Sequence, residues 1–342
     1  MRTPPLLLRR KTEEKPETLT RGTWAARRLH RKDMRNMASR KTASYEIKTY
    51  EEKFIEEQAR IGREATKDWT QYRQTPAEEL RKTYSVPGFD PSTRFYALLK
   101  GELVGYLTAS LVSGSAEKTA VMRLPIVKKG HEGAQKVLMD HALKVLKERG
   151  VSVVTTEAGK GWGNWETLLK QYKFEDAGVS SYLAEKSISS INLSRLPAPR
   201  GVEQYERSKD RDALCTMLAG LGFPAERVKL LVDQYESGSK DSYLRRVAVF
   251  RKDNKTVAAS AMTVPDNEPD VARILRVMML PGVDLSDVGG RIITKLIETG
   301  ARDGLKRFRM TLLPSNVKEY NDVFSRLGVT AGPFINTYRK RL

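Results

Sequence analysis

Between residues 44 and 342 the spacing of apolar positions alternates between strand-like and helix-like periods, and the switches mark a series of short elements. "YEIKTY" (45–50) predicts a strand and "EEKFIEEQARIGREATK" (51–67) a helix. A second helical segment is predicted after Thr75, where "TPAEEL" offers a Thr cap, Pro at the first position and Glu in the first turn. "FYALLKGELVGYLTASLV" (95–112) reads as a hairpin broken at "KGE", and "KTAVMRLPIV" (118–127) as a further strand. A glycine-containing turn follows. The next helix carries Val137, Leu138, Ala142, Leu143 and Leu146 on its apolar side and stops at "KERG". "VSVVTTEA" (151–158) is a strand of the buried kind, followed by a short helix in "NWETLLKQY" and a strand near "SSYLAEKS" (180–187).

The turn-rich stretch "INLSRLPAPRG" (191–201) is expected to be a linker, because the same order then recurs. A strand ("VEQYERS") precedes two helices ("DRDALCTMLAGLG", "PAERVKLLVDQYES") and a hairpin over 243–264 turning at "KDNK". "VARILRVMML" (strand), "DVGGRIITKLIETGARDG" (helix), "LKRFRMTLLP" (strand), "VKEYNDVFSRLG" (helix) and "PFINTYRKRL" (strand) complete it. The pattern predicts two domains, 44–190 and 202–342, built alike without obvious residue identity. A length of 342 residues fits that division.

Charge adds a third region. The net charge is +19, and residues 1–43 hold thirteen Lys/Arg against four Asp/Glu. This segment is poor in large apolar residues and is expected to be a disordered tail, or one short helix ordered by a partner. Arg27, Arg28, Arg31, Lys32 and Arg35 would line one helical face beside Trp24. A polyanion such as nucleic acid or a nucleoprotein would meet that face with salt-sensitive affinity. A solubilising tail, an acidic protein, a membrane surface or an organelle-targeting role are the alternatives. Cys215 is the single cysteine and sits in an apolar helical pattern, which excludes internal disulfides and cysteine-based metal clusters. His30, His131 and His141 show no metal spacing, and no run is long enough to span a membrane. These features suit a reducing, cytoplasmic setting.

The order strand, two helices, hairpin, strand, helix, strand, helix, strand resembles the GCN5-related N-acetyltransferase superfamily, and the chain resembles a tandem pair over about residues 44–342. The resemblance implies an α/β fold, each domain a mixed, mostly antiparallel sheet flanked by helices. It also implies an acetyl-CoA pyrophosphate bound by backbone amides of the turn after the fourth strand, at the start of a helix. In "PIVKKGHEGAQKVL" (125–138) the corresponding residues are Ile126, Val127, Lys128, Lys129, Gly130, His131, Gly133, Ala134 and Gln135. The family pattern is Arg or Gln, two variable residues, Gly, one variable, then Gly or Ala. With Gly133 as the first glycine, Gln135 falls on the second small position and Gly130 on the Arg or Gln. Anchoring on Pro125 shifts the register by two. In the second copy Pro281 and Gly289 fit the pattern, but Asp284 and Asp287 replace the basic residue and the first glycine. Carboxylates there oppose a pyrophosphate, so the first copy is the expected cofactor site.

For the chemistry, the resemblance implies a Glu or water that takes the amine proton, a fourth-strand amide at the thioester carbonyl and a Tyr that donates to the sulfur. The tyrosine position is Leu169 in the first copy and Phe324 in the second. Tyr172 stands almost one turn later as a candidate acid, and Glu117 and Glu157 flank the strands as candidate bases. Trp162 and Trp165 in "GKGWGNW" either wall an acceptor or adenine pocket or pack between the copies. The expected activity is acetyl transfer from acetyl-CoA to an unidentified amine. The alternatives are an inactive structural or nucleoprotein-associated component that has kept the fold, and a regulatory CoA sensor.

Overall fold

The computed structural model describes residues 44–342 apart from 73, 113, 115–116, 164, 238–242 and 266–267. The basic tail expected over 1–43 lies outside the described residues. From Tyr45 the chain forms β1 (Glu46–Lys48), α1 (Ile55–Thr66), α2 (Ala77–Tyr84), the hairpin β2 (Arg94–Leu99) and β3 (Glu102–Leu111), and β4 (Thr119–Met122). Then follow β5 (Ile126–Val127), α3 (Gly133–Glu148), β6 (Val153–Gly159), α4 (Trp165–Gln171) and β7 (Glu175–Ser187). The second half runs β8 (Val202–Gln204), α5 (Arg207–Gly220), α6 (Ala225–Ser237), β9 (Tyr243–Lys252), β10 (Lys255–Pro265), β11 (Val271–Ile274) and β12 (Met278–Met279). It ends with α7 (Gly290–Arg302), β13 (Arg307–Leu312), α8 (Pro314–Leu327) and β14 (Gly332–Arg341). Pro76, not Thr75, holds the N-cap position of α2, and no side chain caps that helix. Both expected hairpin turns form, with Lys100–Gly101 and Asp253–Asn254 at positive φ, the conformation a two-residue hairpin loop demands.

All the strands join one sheet, in the order β1-β2-β3-β4-β6-β14-β7-β13-β11-β10-β9-β8, with β5 on β3 and β12 on β10. Among the described residues only β4·β6 and β11·β13 pair in parallel. The middle of this order was not expected. β14, the last strand of the second half, lies between β6 and β7 of the first, with Tyr338 opposite Thr156 on one side and Asp176 on the other. In return β7 pairs with β13, Ala184 opposite Met310. Each half therefore finishes the other's sheet, and β7 is thirteen residues long because it serves both neighbours.

One face of each half is filled from the helix between its parallel strands. Ala134, Leu138, Met139, Ala142 and Leu146 of α3 pack on Phe95, Leu107, Ala120 and Val154. Ile292, Ile293, Leu296 and Ile297 of α7 pack on Met262, Ala272, Phe308 and Met310. The stretch expected as a linker is packed down: Ile191 and Leu196 join the second core, and a Cβ on Gly290 would meet Pro197 at 3.0 Å. Cys215 is free and half-buried beside the cluster of Leu214, Leu218 and Val232. Across the shared strands Arg309 is 1% exposed and bonds Glu185 and Glu268, each at 2.5 Å.

Candidate cofactor cleft

β4 and β6 part at their C-terminal ends. Their last pair is Val121 with Thr155. Beyond it the Arg123 amide still bonds Thr108 O of β3, but Pro125 has no N–H to continue a ladder, so the strand bulges before Ile126 and Val127 pair with Tyr106 and Gly105. β4 thus leans toward β3 while β6 stays with β14, opening a wedge between them. The turn that follows has Gly130 at φ +87°, a value costly for any residue with a Cβ. Its amide donates to Glu132 Oε1 at 2.9 Å, and that bond helps hold the Glu132 carboxyl below its ordinary range. α3 begins at Gly133, which is exposed against the Tyr45 ring, and Ala134 is fully buried.

The sequence-predicted residues Ile126 to His131 and Gly133 to Gln135 lie along this turn, on the positive end of a sixteen-residue helix, with the Glu132 carboxylate among them. Ile126 and Val127 are buried in the clusters on the two faces of the sheet, and the Gln135 amide bonds Glu132 O. Lys128 is turned away to an ion pair with Glu57 at 2.6 Å, whereas Lys129 is exposed. His131 lies edge-on to Tyr45, with 6.4 Å between ring centres.

The second half repeats this geometry and bridges it with a hydrogen bond. Ile274 pairs with Met310, one position further than in the first half, before a bulge of the same length leads to Met278 and Met279. By that register Val277 corresponds to Pro125 and Met310 to Thr156. The buried Val277 amide donates to the Tyr320 hydroxyl at 2.9 Å, and burial pushes that hydroxyl's pKa up. At the turn, Asp284 accepts from the Ser286 amide and Asp287 pairs with Arg291. The carboxylates expected to oppose a phosphate serve the protein's own donors.

The proposed proton-transfer residues are not brought together. The Tyr172 hydroxyl donates to Asp140 Oδ1 at 2.7 Å on the outer side of α3, and burial together with that carboxylate raises its pKa. Glu117 precedes β4, at the closed end of the wedge, and is held by Arg339 and Arg341 at 2.8 and 2.7 Å. Glu157 lies two residues past the last β4·β6 pair, 3.2 Å from Arg123. At the helix end, Leu169 O accepts from Phe174 N as Phe324 O accepts from Val329 N, so Leu169 and Phe324 are equivalent, and both are buried. The same equivalence, carried back one turn, matches Trp165 with Tyr320.

Both tryptophans of "GKGWGNW" are buried. Trp162 stacks on Trp69 at 5.6 Å, donates from Nε1 to Thr70 O and fills the space above Gly159, where a Cβ would come within 2.4 Å of its ring. Trp165 meets Trp69 edge-on at 5.7 Å, but its buried Nε1 has no partner among the described residues. Neither does Thr156 Oγ1, which is 1% exposed. Two such orphaned donors cost roughly 1–3 kcal/mol each. Sequence reasoning passed over Thr156, although its parity with Val154 and Ala158 in "VSVVTTEA" places a hydroxyl among core positions.

No protein-family model and no curated protein sequence matches the chain. Solved structures do. A tandem protein of this superfamily from the clavulanic acid biosynthesis pathway aligns with a TM-score of 0.62 at 13% identity, covering 87% of this chain and 98% of that one. An acetyltransferase from Colwellia psychrerythraea gives 0.58 at 14% identity over 86% and 100%. A third, from Sphaerobacter thermophilus, gives 0.55 at 13% over 87% and 95%. The fold is that of the GCN5-related N-acetyltransferases. Among the described residues no cluster of side chains is suited to a metal ion, and no helix is long and apolar enough to cross a membrane.

Proposed function

We propose that this tandem chain is an acetyl-CoA-dependent N-acyltransferase with one cofactor site, in the first half. The observation that carries this reading is the difference between the wedges. In the second half the bulge amide is already satisfied by Tyr320 and the wall residue is Met310. In the first half the bulge residue is Pro125, which has no amide to be bonded across in that way, and the chain runs from it through Gly130 at φ +87° into α3.

The positive end of the sixteen-residue α3 and the exposed Lys129 suit a pyrophosphate. Bound acetyl-CoA would supply the activated acetyl group. Glu157, at the open end of the wedge, is the better placed of the two carboxylates to take a proton from an incoming amine. Glu117 is at the closed end and engaged by two arginines. We assign no role in the wedge to Tyr172, whose hydroxyl is given to Asp140.

Calorimetric titration of acetyl-CoA tests the reading. One saturable site per chain is expected, lost in Gly133→Glu. An added Cβ there meets Tyr45 at an ordinary 3.5 Å, so the fold tolerates it while the new carboxylate repels a phosphate. Absence of binding at high micromolar cofactor, or full affinity in Gly133→Glu, overturns the reading.

A further inference from the structure

We infer that the cleft between the C-terminal half of α7 and strands β8 and β9 binds a phosphate monoester of a small molecule. The two halves can be matched residue by residue at this place. Met278 pairs with Ala259 as Ile126 pairs with Tyr106, which makes Ala248 the counterpart of Phe95 and Phe250 that of Ala97. Leu305 N bonds Gly300 O as Val151 N bonds Leu146 O, which makes Lys295, Thr299 and Arg302 the counterparts of His141, Val145 and Glu148. In the first half Phe95 is fully buried and meets the His141 ring edge-on, with 5.4 Å between ring centres, so sheet and helix close on each other. In the second half the aromatic ring stands two residues further along the strand, at Phe250, where the Arg291 guanidinium covers it at 5.9 Å. Alanine occupies its former place. The cleft left at Ala248 has a volume of about 420 Å³, which falls in the range of small-molecule sites.

The exchanges that open the cleft also change its charge. Lysine stands for histidine at 295 and arginine for glutamate at 302, and Arg246 adds a third cation from β9. Thr299, where the first half has valine, accepts from Arg302 Nη2 at 3.2 Å and holds that guanidinium against the helix turn lining the cleft. Two carboxylates share the lining, and both are engaged. Asp303 faces Arg246 at 3.6 Å, and Glu203 bonds Arg251, which lies outside the cleft. Lys295 is half-buried and has no ion pair among the described residues. A phosphate monoester brings about two negative charges and three terminal oxygens, enough to answer Lys295 as a point charge and Arg302 as a fork. A monocarboxylate brings half that charge. The organic part of the ligand would rest on Val202, Ala248 and Leu296.

The test is calorimetric titration of the full chain with inorganic phosphate, glycerol 3-phosphate and acetate, in chloride buffers of matched ionic strength, repeated for Lys295→Gln, Arg302→Gln, Ala248→Phe and Gly133→Glu. Both phosphates are expected to bind at one site and acetate far more weakly. Lys295→Gln and Arg302→Gln should each weaken phosphate binding by on the order of tenfold, the loss of one charge-assisted hydrogen bond. Ala248→Phe restores the first half's ring and should abolish glycerol 3-phosphate binding. The two glutamine variants change only the helix surface, so the result does not depend on how well the enlarged residue at 248 is accommodated. Gly133→Glu should bind both phosphates as the wild type does, which separates this site from the proposed cofactor turn. No phosphate binding to the wild type overturns the inference, as does equal binding of acetate or full affinity in Lys295→Gln. A loss confined to Gly133→Glu also overturns it, because the phosphate then occupies the turn before α3.

Discussion

Tyr320→Phe isolates the group that closes the second wedge. The substitution removes one oxygen and leaves the ring, so no cavity of consequence forms. What changes is the Val277 amide, buried and 2.9 Å from the lost acceptor. An amide left buried without a partner costs roughly 1–3 kcal/mol, and losing the hydroxyl's own burial cost offsets only part of it. A net loss of about 2 kcal/mol, in a domain of a few hundred residues, lowers the thermal midpoint by roughly 4 °C. Differential scanning calorimetry of the two proteins at neutral pH reads this directly. Acetyl-CoA stoichiometry should remain one, because the phenyl ring and Met310 still fill the wedge. A midpoint equal to or above wild type would refute the argument. It would mean that the amide finds another acceptor and that the tyrosine does not seal this half.

Two further outcomes follow from the ion pairs. Glu57 is held at about 2, chiefly by hydrogen bonds from Arg60, with burial opposing and Lys128 assisting. A carboxyl depressed in the folded state stabilises above its unfolded pKa and ceases to do so as pH falls through the folded value. Glu57→Gln should therefore cost about 1–2 kcal/mol near pH 6, with the difference from wild type fading between about pH 4.5 and 2. A pH-independent difference in urea midpoints would count against it. Arg309→Met strands Glu185 and Glu268 beside a buried site and is expected to cost about 3–5 kcal/mol in chemical denaturation. A loss below about 1 kcal/mol would show that water already screens this pair.

Much of the order of elements was legible because each depends on nearby residues. The α3 stripe of Leu138, Ala142 and Leu146 and the positive-φ turn at Lys100–Gly101 are local signals, and both formed as expected. The exchange of β7 and β14 carries no such signal. Either strand presents the same alternation whichever neighbour it pairs with, and the choice is made by contacts such as Tyr182 with Pro333, far apart in the chain. The site divides along the same line. The glycine turn was visible at 130–133, while the bond from Val277 to Tyr320 spans forty-three residues and the grip of Arg339 on Glu117 spans 222. Distances of that kind decide whether a carboxylate is free or a wedge is sealed, and periodicity does not report them.

The placement of β14 also sets a timetable for synthesis. The first half leaves the ribosome by Ser187, yet the strand that belongs between β6 and β7 begins only at Gly332. At roughly 5–20 residues per second the gap is on the order of ten seconds. For that interval two strand edges wait unpaired, exposed to any other nascent chain with a matching edge. A premature stop anywhere before Gly332 would deprive the half already made of its central strand, so the protein's two ends share one fate in quality control.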